Sequence, residues 1–212
     1  MNDGEPAQIR VDGDRVVVQH ARFDASIDPF TRAISVDCSD DDRPFADAIV
    51  ERTALSCFLP LAGGLLLHSA GVVIGGRAVA FYGRSGAGKS TFASLVDAPL
   101  LSDELIAIER RGDAFVARAS GFWGELESRA ATAGSFPLHA LVELGRGDDV
   151  ALEPLNAREA MRALVAVAVV PPHPALWRAV MPIIEALAKL RALRLRWTPT
   201  ADAARRVLAH FQ

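Results

Sequence analysis

Lysine is almost missing from this chain. Of 23 basic residues among 212, only Lys89 and Lys189 are lysines, and the other 21 are arginines. Against 26 acidic residues this leaves a formal net charge of −3, too small for a strong pull toward nucleic acid or anionic membrane. Cysteine is scarce as well. Cys38 and Cys57 form no CxxC, no metal-ligand spacing and no disulfide framework, so two buried thiols in a reducing compartment are expected. Long hydrophobic runs are missing too. The longest, Ala163 to Val170, has eight residues before Pro171-Pro172, where a membrane-spanning helix needs about 20. The N-terminus, MNDGEPAQIRVDGD, is polar and acidic and does not read as a signal peptide. These absences point to a cytoplasmic globular protein without a nucleic-acid or membrane partner. Half the residues are hydrophobic, which at this length suffices for a real core.

The first sixty residues read as β-rich. Gln8–Val11 and Arg15–Gln19 flank Asp12-Gly13-Asp14, a hairpin signal. Asp37 to Pro44 reads as an acidic, solvated loop, with a metal site as the lesser alternative. Phe45, Ile49, Ala54 and Phe58 have helical spacing up to Leu59, and Gly63-Gly64 breaks the chain. Strands follow at 65–74 and 77–82, joined by Gly75-Gly76, then a glycine-rich loop and a short helix ending before Pro99. Further strands are expected at 114–118, 137–145 and 150–153. The last third is helical. Asn156 with Glu159 starts a helix ending at Pro171-Pro172, and His173-Pro174 opens another, interrupted or kinked at Pro182. Leu193, Leu195 and Trp197 alternate with Arg194 and Arg196 as a half-buried strand with a solvated arginine face, and a closing helix follows.

The loop Gly83-Arg84-Ser85-Gly86-Ala87-Gly88-Lys89-Ser90 fits GxxxxGK[ST] at every fixed position. Its glycines permit positive φ and leave no Cβ where a phosphate would approach. Successive backbone N–H groups then form an anion nest at the N-terminus of the short helix expected through Phe92–Val96. Lys89 adds a movable charge for the outer phosphates, and the Ser90 hydroxyl suits Mg²⁺. With 16 glycines and two lysines, random order yields such a match on the order of once per thousand chains.

Fourteen residues after Lys89, Leu100-Leu101-Ser102-Asp103-Glu104 reads as an apolar strand ending in two acids. An acid so placed holds Mg²⁺ or activates an acceptor hydroxyl. The short interval leaves room for one helix and a turn, which predicts a mixed sheet rather than a doubly wound parallel one.

Leu67-His68-Ser69-Ala70-Gly71, then the loop, then Leu101-Ser102-Asp103-Glu104 resembles the catalytic domain of HPr kinase/phosphorylase. More closely, it resembles the short HPr-kinase-related serine kinases of bacterial gene clusters, including kinases of lasso-peptide precursors. His68 precedes Gly83 by fifteen residues, as in the family, and Gly121-Phe122-Trp123-Gly124-Glu125 resembles the related kinases too. The resemblance covers roughly residues 60–212. It implies an α/β, P-loop-containing, phosphoenolpyruvate-carboxykinase-like mixed sheet with flanking helices at 61–212; the β-rich portion, 1–60, read from its own residues, is expected to pack on it. It implies Mg-ATP-dependent phosphorylation of a serine on a protein or peptide, and a homo-oligomer. Asp103 would be the catalytic base, Glu104 a metal ligand or partner of the base, and His68 a lining residue of the phosphate or acceptor site. Gly83 to Thr91 would bind the nucleotide, and Ser90, Glu104 and Glu125 the metal. Glu104 stands where the family usually has Asp, and the segment used for phosphorolysis has no counterpart, so dephosphorylation is not expected. A nucleotide-binding regulatory module without turnover, an ATPase and a small-molecule kinase remain alternatives. His139, His173 and His210 have no partner spacing, and Trp123 reads as packing.

Overall fold

A computed structural model describes residues 6–126 and 131–212. Residues 1–5, part of the polar stretch that argues against a signal peptide, lie outside the described residues. The chain divides into two compact units, one of residues 1–63 with 170–181, the other of 64–169 with 182–212. Residues 170–181, which the sequence places with 61–212, thus cluster with the first unit. No helix among the described residues is long and apolar enough to cross a membrane.

The first unit is an antiparallel meander of β1 (Gln8–Asp12), β2 (Arg15–His20), β3 (Phe23–Ile27) and β4 (Ile34–Cys38), with helix α1 (Arg43–Leu61). The expected hairpin pairs Asp12 with Arg15 around Gly13. Alternation puts Val16, Val18, Phe23, Ala25 and Ile27 on one face. Ala46, Val50, Ala54 and Cys57 pack against them from α1. Of the apolar residues at helical spacing, Ala54 is buried, while Phe45, Ile49 and Phe58 are partly buried and pack against the same cluster. The two cysteines are free, and only Cys57 is buried; burial pushes its thiol up to about 12. In the acidic stretch, Asp42 precedes α1 and holds Arg22 at 2.6 Å. No cluster of three metal-ligating side chains occurs among the described residues.

The second unit is built on a nine-stranded mixed sheet. Its main path runs β11 (Ala151–Pro154), β13 (Ala192–Trp197), β10 (Ser135–Arg146), β6 (Arg77–Tyr82), β5 (Gly64–Ile74), β8 (Leu105–Arg111), β9 (Ala114–Ala119). β10 lies parallel to both β6 and β13, and the other pairings are antiparallel. β7 (Leu100–Ser102) pairs with β5. Between β6 and β7 the chain forms α2 (Lys89–Leu95). The strand ending in acids thus stops at Ser102, and Asp103-Glu104 form the bend into β8.

One face of this sheet carries the aromatic core. Phe81 meets Phe92 of α2 at 4.1 Å between ring centroids, and Phe92 meets Trp197 edge-on at 5.1 Å. Helix α5 (Ala201–Ala209), capped by Thr200, closes this side with Ala204, Val207 and Leu208. Alternation then sends Tyr82, Glu143 and Arg194, neighbours across three strands, to the opposite face. Helix α3 (Ala157–Val167) approaches that face through residues 159–167. It opens with the expected capping box between Asn156 and Glu159. It ends at Val167, earlier than Pro171-Pro172 suggested, because β12 (Ala168–Val169) pairs with Leu66 and Leu67 of β5. Helix α4 (Pro174–Ala188) runs through Pro182 as one helix, so of the interruption or kink expected there the chain shows no interruption.

Candidate functional site

β6 delivers the chain into the glycine-rich loop, and α2 carries it away. Gly86 and Gly88 take φ of +78° and +92°, a left-handed conformation that side chains resist, and a Cβ at either would meet open space. The loop therefore leaves room beside its backbone. Ala87 N–H donates to Arg84 C=O at 3.0 Å, and Phe92 N–H to Gly88 C=O at 2.8 Å, fixing both ends of the turn.

Lys89 is only 7 % exposed, and its Nζ donates to Gly83 C=O at 3.2 Å. Burial lowers the pKa of this amine, and the nearby Glu104 carboxylate partly opposes that shift. Lys189, by contrast, is a surface residue, its side chain 64 % exposed and paired with Glu185 one helical turn away.

A cavity of about 370 Å³ brings together His68, Ser85, Gly86, Gly88, Lys89, Ser90, Thr91, Asp103, Glu104 and Glu125. Ten residues proposed from sequence therefore line one space. Of the remaining three, Ala87 packs toward the aromatic core, while Gly83 and Arg84 line a second cavity on the α3 side of the sheet. His68 reaches the site because β5 and β8 pair it with Leu105, while Ser69 N–H donates to Glu104 C=O at 2.9 Å.

Asp103 is 1 % exposed, and its carboxylate is heavily engaged. Oδ1 accepts from Gly124 N–H at 2.9 Å, and Oδ2 from Glu125 N–H at 2.9 Å and Leu126 N–H at 3.3 Å. Three of roughly four acceptor positions are thus filled by backbone. Asp103 holds the 124–126 loop over the site and so places Glu125 in the cavity. Glycine at 124 permits this approach, since a Cβ there would lie 3.1 Å from Asp103 Oδ2. Trp123 packs against the aromatic core, as its composition suggested.

Two contributors were not singled out from sequence. Ser102, fully buried, donates to Phe122 C=O at 2.6 Å and accepts from Glu104 N–H at 2.9 Å and Leu105 N–H at 3.1 Å. It ties the bend carrying both acids to the 122–126 loop. Arg146, at the end of β10, also lines the cavity. Its only sequence signal is its place beside Gly145 and Gly147, which reads as an ordinary turn. Arg194, expected on a solvated face, instead pairs with Glu143 at 2.9 Å and approaches Glu159 at 3.9 Å.

No family model matches the chain, and no curated protein matches it. Among solved structures the chain is similar to the Hpr(Ser) kinase/phosphatase from Coxiella burnetii, at 12 % identity and a TM-score of 0.36, over 68 % of this chain and 91 % of that one. The fold here is α/β, with a central mixed sheet and flanking helices.

Proposed function

We propose that the chain is a Mg-ATP-dependent kinase that transfers a phosphoryl group to a serine hydroxyl of a protein or peptide. One observation carries the proposal: a phosphate-loop lysine and serine, two acids from the bend before β8 and a histidine from β5 line a single cavity. The residues fit the group. Gly86 and Gly88 leave an open cradle, and Lys89 holds a buried amine whose hydrogen bond goes to a loop carbonyl. Such an amine is ready to exchange that carbonyl for a phosphate oxygen, a charge-assisted and stronger partner.

Ser90, Glu104 and Glu125 would hold Mg²⁺, whose preference for one or two carboxylates plus phosphate oxygens does not require a three-acid cluster. When bound, the ion supplies charge neutralisation across the phosphates. Lys89 would bind the outer phosphates, and Arg146, which lines the same cavity, would add a second positive charge. Glu104 or Asp103 would orient the acceptor hydroxyl and take its proton, with His68 beside it. Asp103 has about one acceptor position left for that task.

The occupation of Asp103 by backbone donors favours one alternative, a nucleotide-binding module without turnover. The readings separate in one assay series. Kinase activity requires that Mg-ATP raise the melting temperature and that labelled γ-phosphate move to serine peptides. Glu104→Gln should then lose transfer while ATP without Mg²⁺ still raises its melting temperature as it does for the wild type. Stabilisation of the wild type without any transfer or hydrolysis favours the module, and no response to Mg-ATP refutes both.

A further inference from the structure

Strand β4, Ile34–Cys38, is an edge of the first unit's sheet and pairs with β3 on one side. Among the described residues, no backbone bond beyond that ladder involves residues 34–38. Alternate N–H and C=O groups of an edge strand point away from its neighbour, so β4 offers an open row of donors and acceptors. The usual protections of an edge are missing. β4 has no proline, no lysine, no bulge and no charge turned toward the core. β1, at the other edge, carries Arg10 at its centre.

Both faces of β4 carry a side chain that lacks a complement. Toward the core, Ile34, Val36 and Cys38 stand beside Ile27, Ala25 and Phe23 of β3, yet Ile34 remains 45 % exposed. On the solvent face, Asp37 stands directly opposite Asp24. Like charges so placed repel. Asp24 accepts one hydrogen bond, from the neutral Gln19 amide at 3.2 Å, and neither carboxylate has an ion pair among the described residues. Arg10 and Arg15, the cations of this face, lie on β1 and β2 and bond to Gln19, Asp12 and Ser26. Asp24, Ser26, Ser35 and Asp37 line a concavity of about 340 Å³ on this face.

We propose that β4 takes an extended segment of a partner protein as a fifth strand, one in which basic and apolar residues alternate. Backbone bonds along β4 supply the ladder. Basic side chains on the solvent face pair with Asp37 and Asp24. Apolar ones on the other face cover Ile34 and continue the row of Val36 and Cys38. A second copy of this chain is a poor occupant. β4 paired antiparallel with itself about Val36 would set Ser35 against Asp37 and bring a second pair of aspartates onto the same face, with no cation to offset them. The surface lies within the first unit and does not rest on the kinase reading.

The probe is the end-capped peptide Val-Arg-Val-Arg-Val, with Val-Asp-Val-Asp-Val as the charge control, titrated into the full chain by calorimetry. Saturable binding of the arginine peptide is expected, weakening as salt rises, with little binding of the control. In amide exchange, saturation should slow alternate N–H groups within 34–38 more than groups elsewhere. Asp37→Arg sets a cation opposite Asp24, so the variant should fold with an undiminished melting temperature. It should bind the arginine peptide about fivefold more weakly and gain affinity for the aspartate peptide. The proposal is overturned if the arginine peptide shows no saturable binding, if its affinity is unchanged in Asp37→Arg, or if protection falls outside 34–38. It is overturned equally if the free chain is a dimer whose 34–38 amides already exchange slowly, since a second copy would then hold the edge.

Discussion

Replacing Asp103 by asparagine tests how far this residue is a structural anchor. The carboxylate accepts three backbone N–H bonds while almost wholly buried. Asparagine keeps one carbonyl oxygen, which can serve Glu125 and Leu126 from the Oδ2 position. Its amide nitrogen then faces the N–H of Gly124, donor against donor. One charge-assisted bond, about 1.5–3 kcal/mol, is lost, and a buried N–H is left unsatisfied, about 1–3 kcal/mol. The two costs overlap, because both describe the Gly124 contact. The expected loss is therefore about 2–4 kcal/mol, near the upper end of single-substitution effects. Urea unfolding of both proteins measures it as a lowered midpoint at similar slope. Amide exchange should quicken most at Gly124, Glu125 and Leu126. A variant within about 0.5 kcal/mol of wild type, the range of an unremarkable surface change, would refute the anchoring argument. The result bears on mechanism too. If Asp103→Asn releases Glu125 from the site, its loss of transfer does not by itself identify the base.

Lys89→Met should remove the Mg-ATP-dependent thermal shift without lowering the stability of the free protein, since it deletes a buried charge. Burial sets the folded-state pKa of Lys89 below its ordinary 10.5. Between those values the unfolded chain binds more protons, so stability from this group rises with pH toward 10.5, and urea midpoints of Lys89→Met should lack that rise. Arg146→Ala should weaken ATP binding roughly tenfold, about 1.4 kcal/mol, with an unchanged melting temperature of the free protein; equal affinity would remove Arg146 from the phosphate site. His139 lies between Arg77 at 3.4 Å and Arg191 at 2.9 Å, and burial first, then both arginines, lowers its pKa below 6.5. The unfolded chain thus takes up the proton first as pH falls through 6.5. Stability should drop below that pH, and His139→Gln should flatten the drop in pH-dependent urea midpoints.

Much of the site was legible because its chemistry is local. The glycine spacing, Lys89 and Ser90 lie within eight residues, where backbone conformation follows from residue type. The N-terminal hairpin and the Asn156–Glu159 capping box were legible for the same reason, since each is closed by residues at most three positions apart at its turn or cap. Arg146 and Ser102 were not legible. An arginine beside glycines and a serine before acids become site residues only when β10 pairs with β6 and the 122–126 loop folds over the bend. The early end of α3 escaped notice likewise. Ala168 and Val169 suit a helix, but their backbone groups find partners on β5, and a tertiary ladder overrides local propensity.

The scarcity of lysine, the phosphate-loop pattern and the fourteen-residue interval to Asp103 were set by the sequence alone. They define which groups exist and how far the chain can separate them. Only the tertiary structure decided what those groups face. It buried Lys89 beside Glu104 and left Lys189 in water, although nothing in composition distinguishes two lysines. It turned Asp103 toward three backbone donors and left the Tyr82 hydroxyl without one. Burial and hydrogen-bond partners arise from pairings between strands far apart in sequence, and they give identical side chains different chemistry.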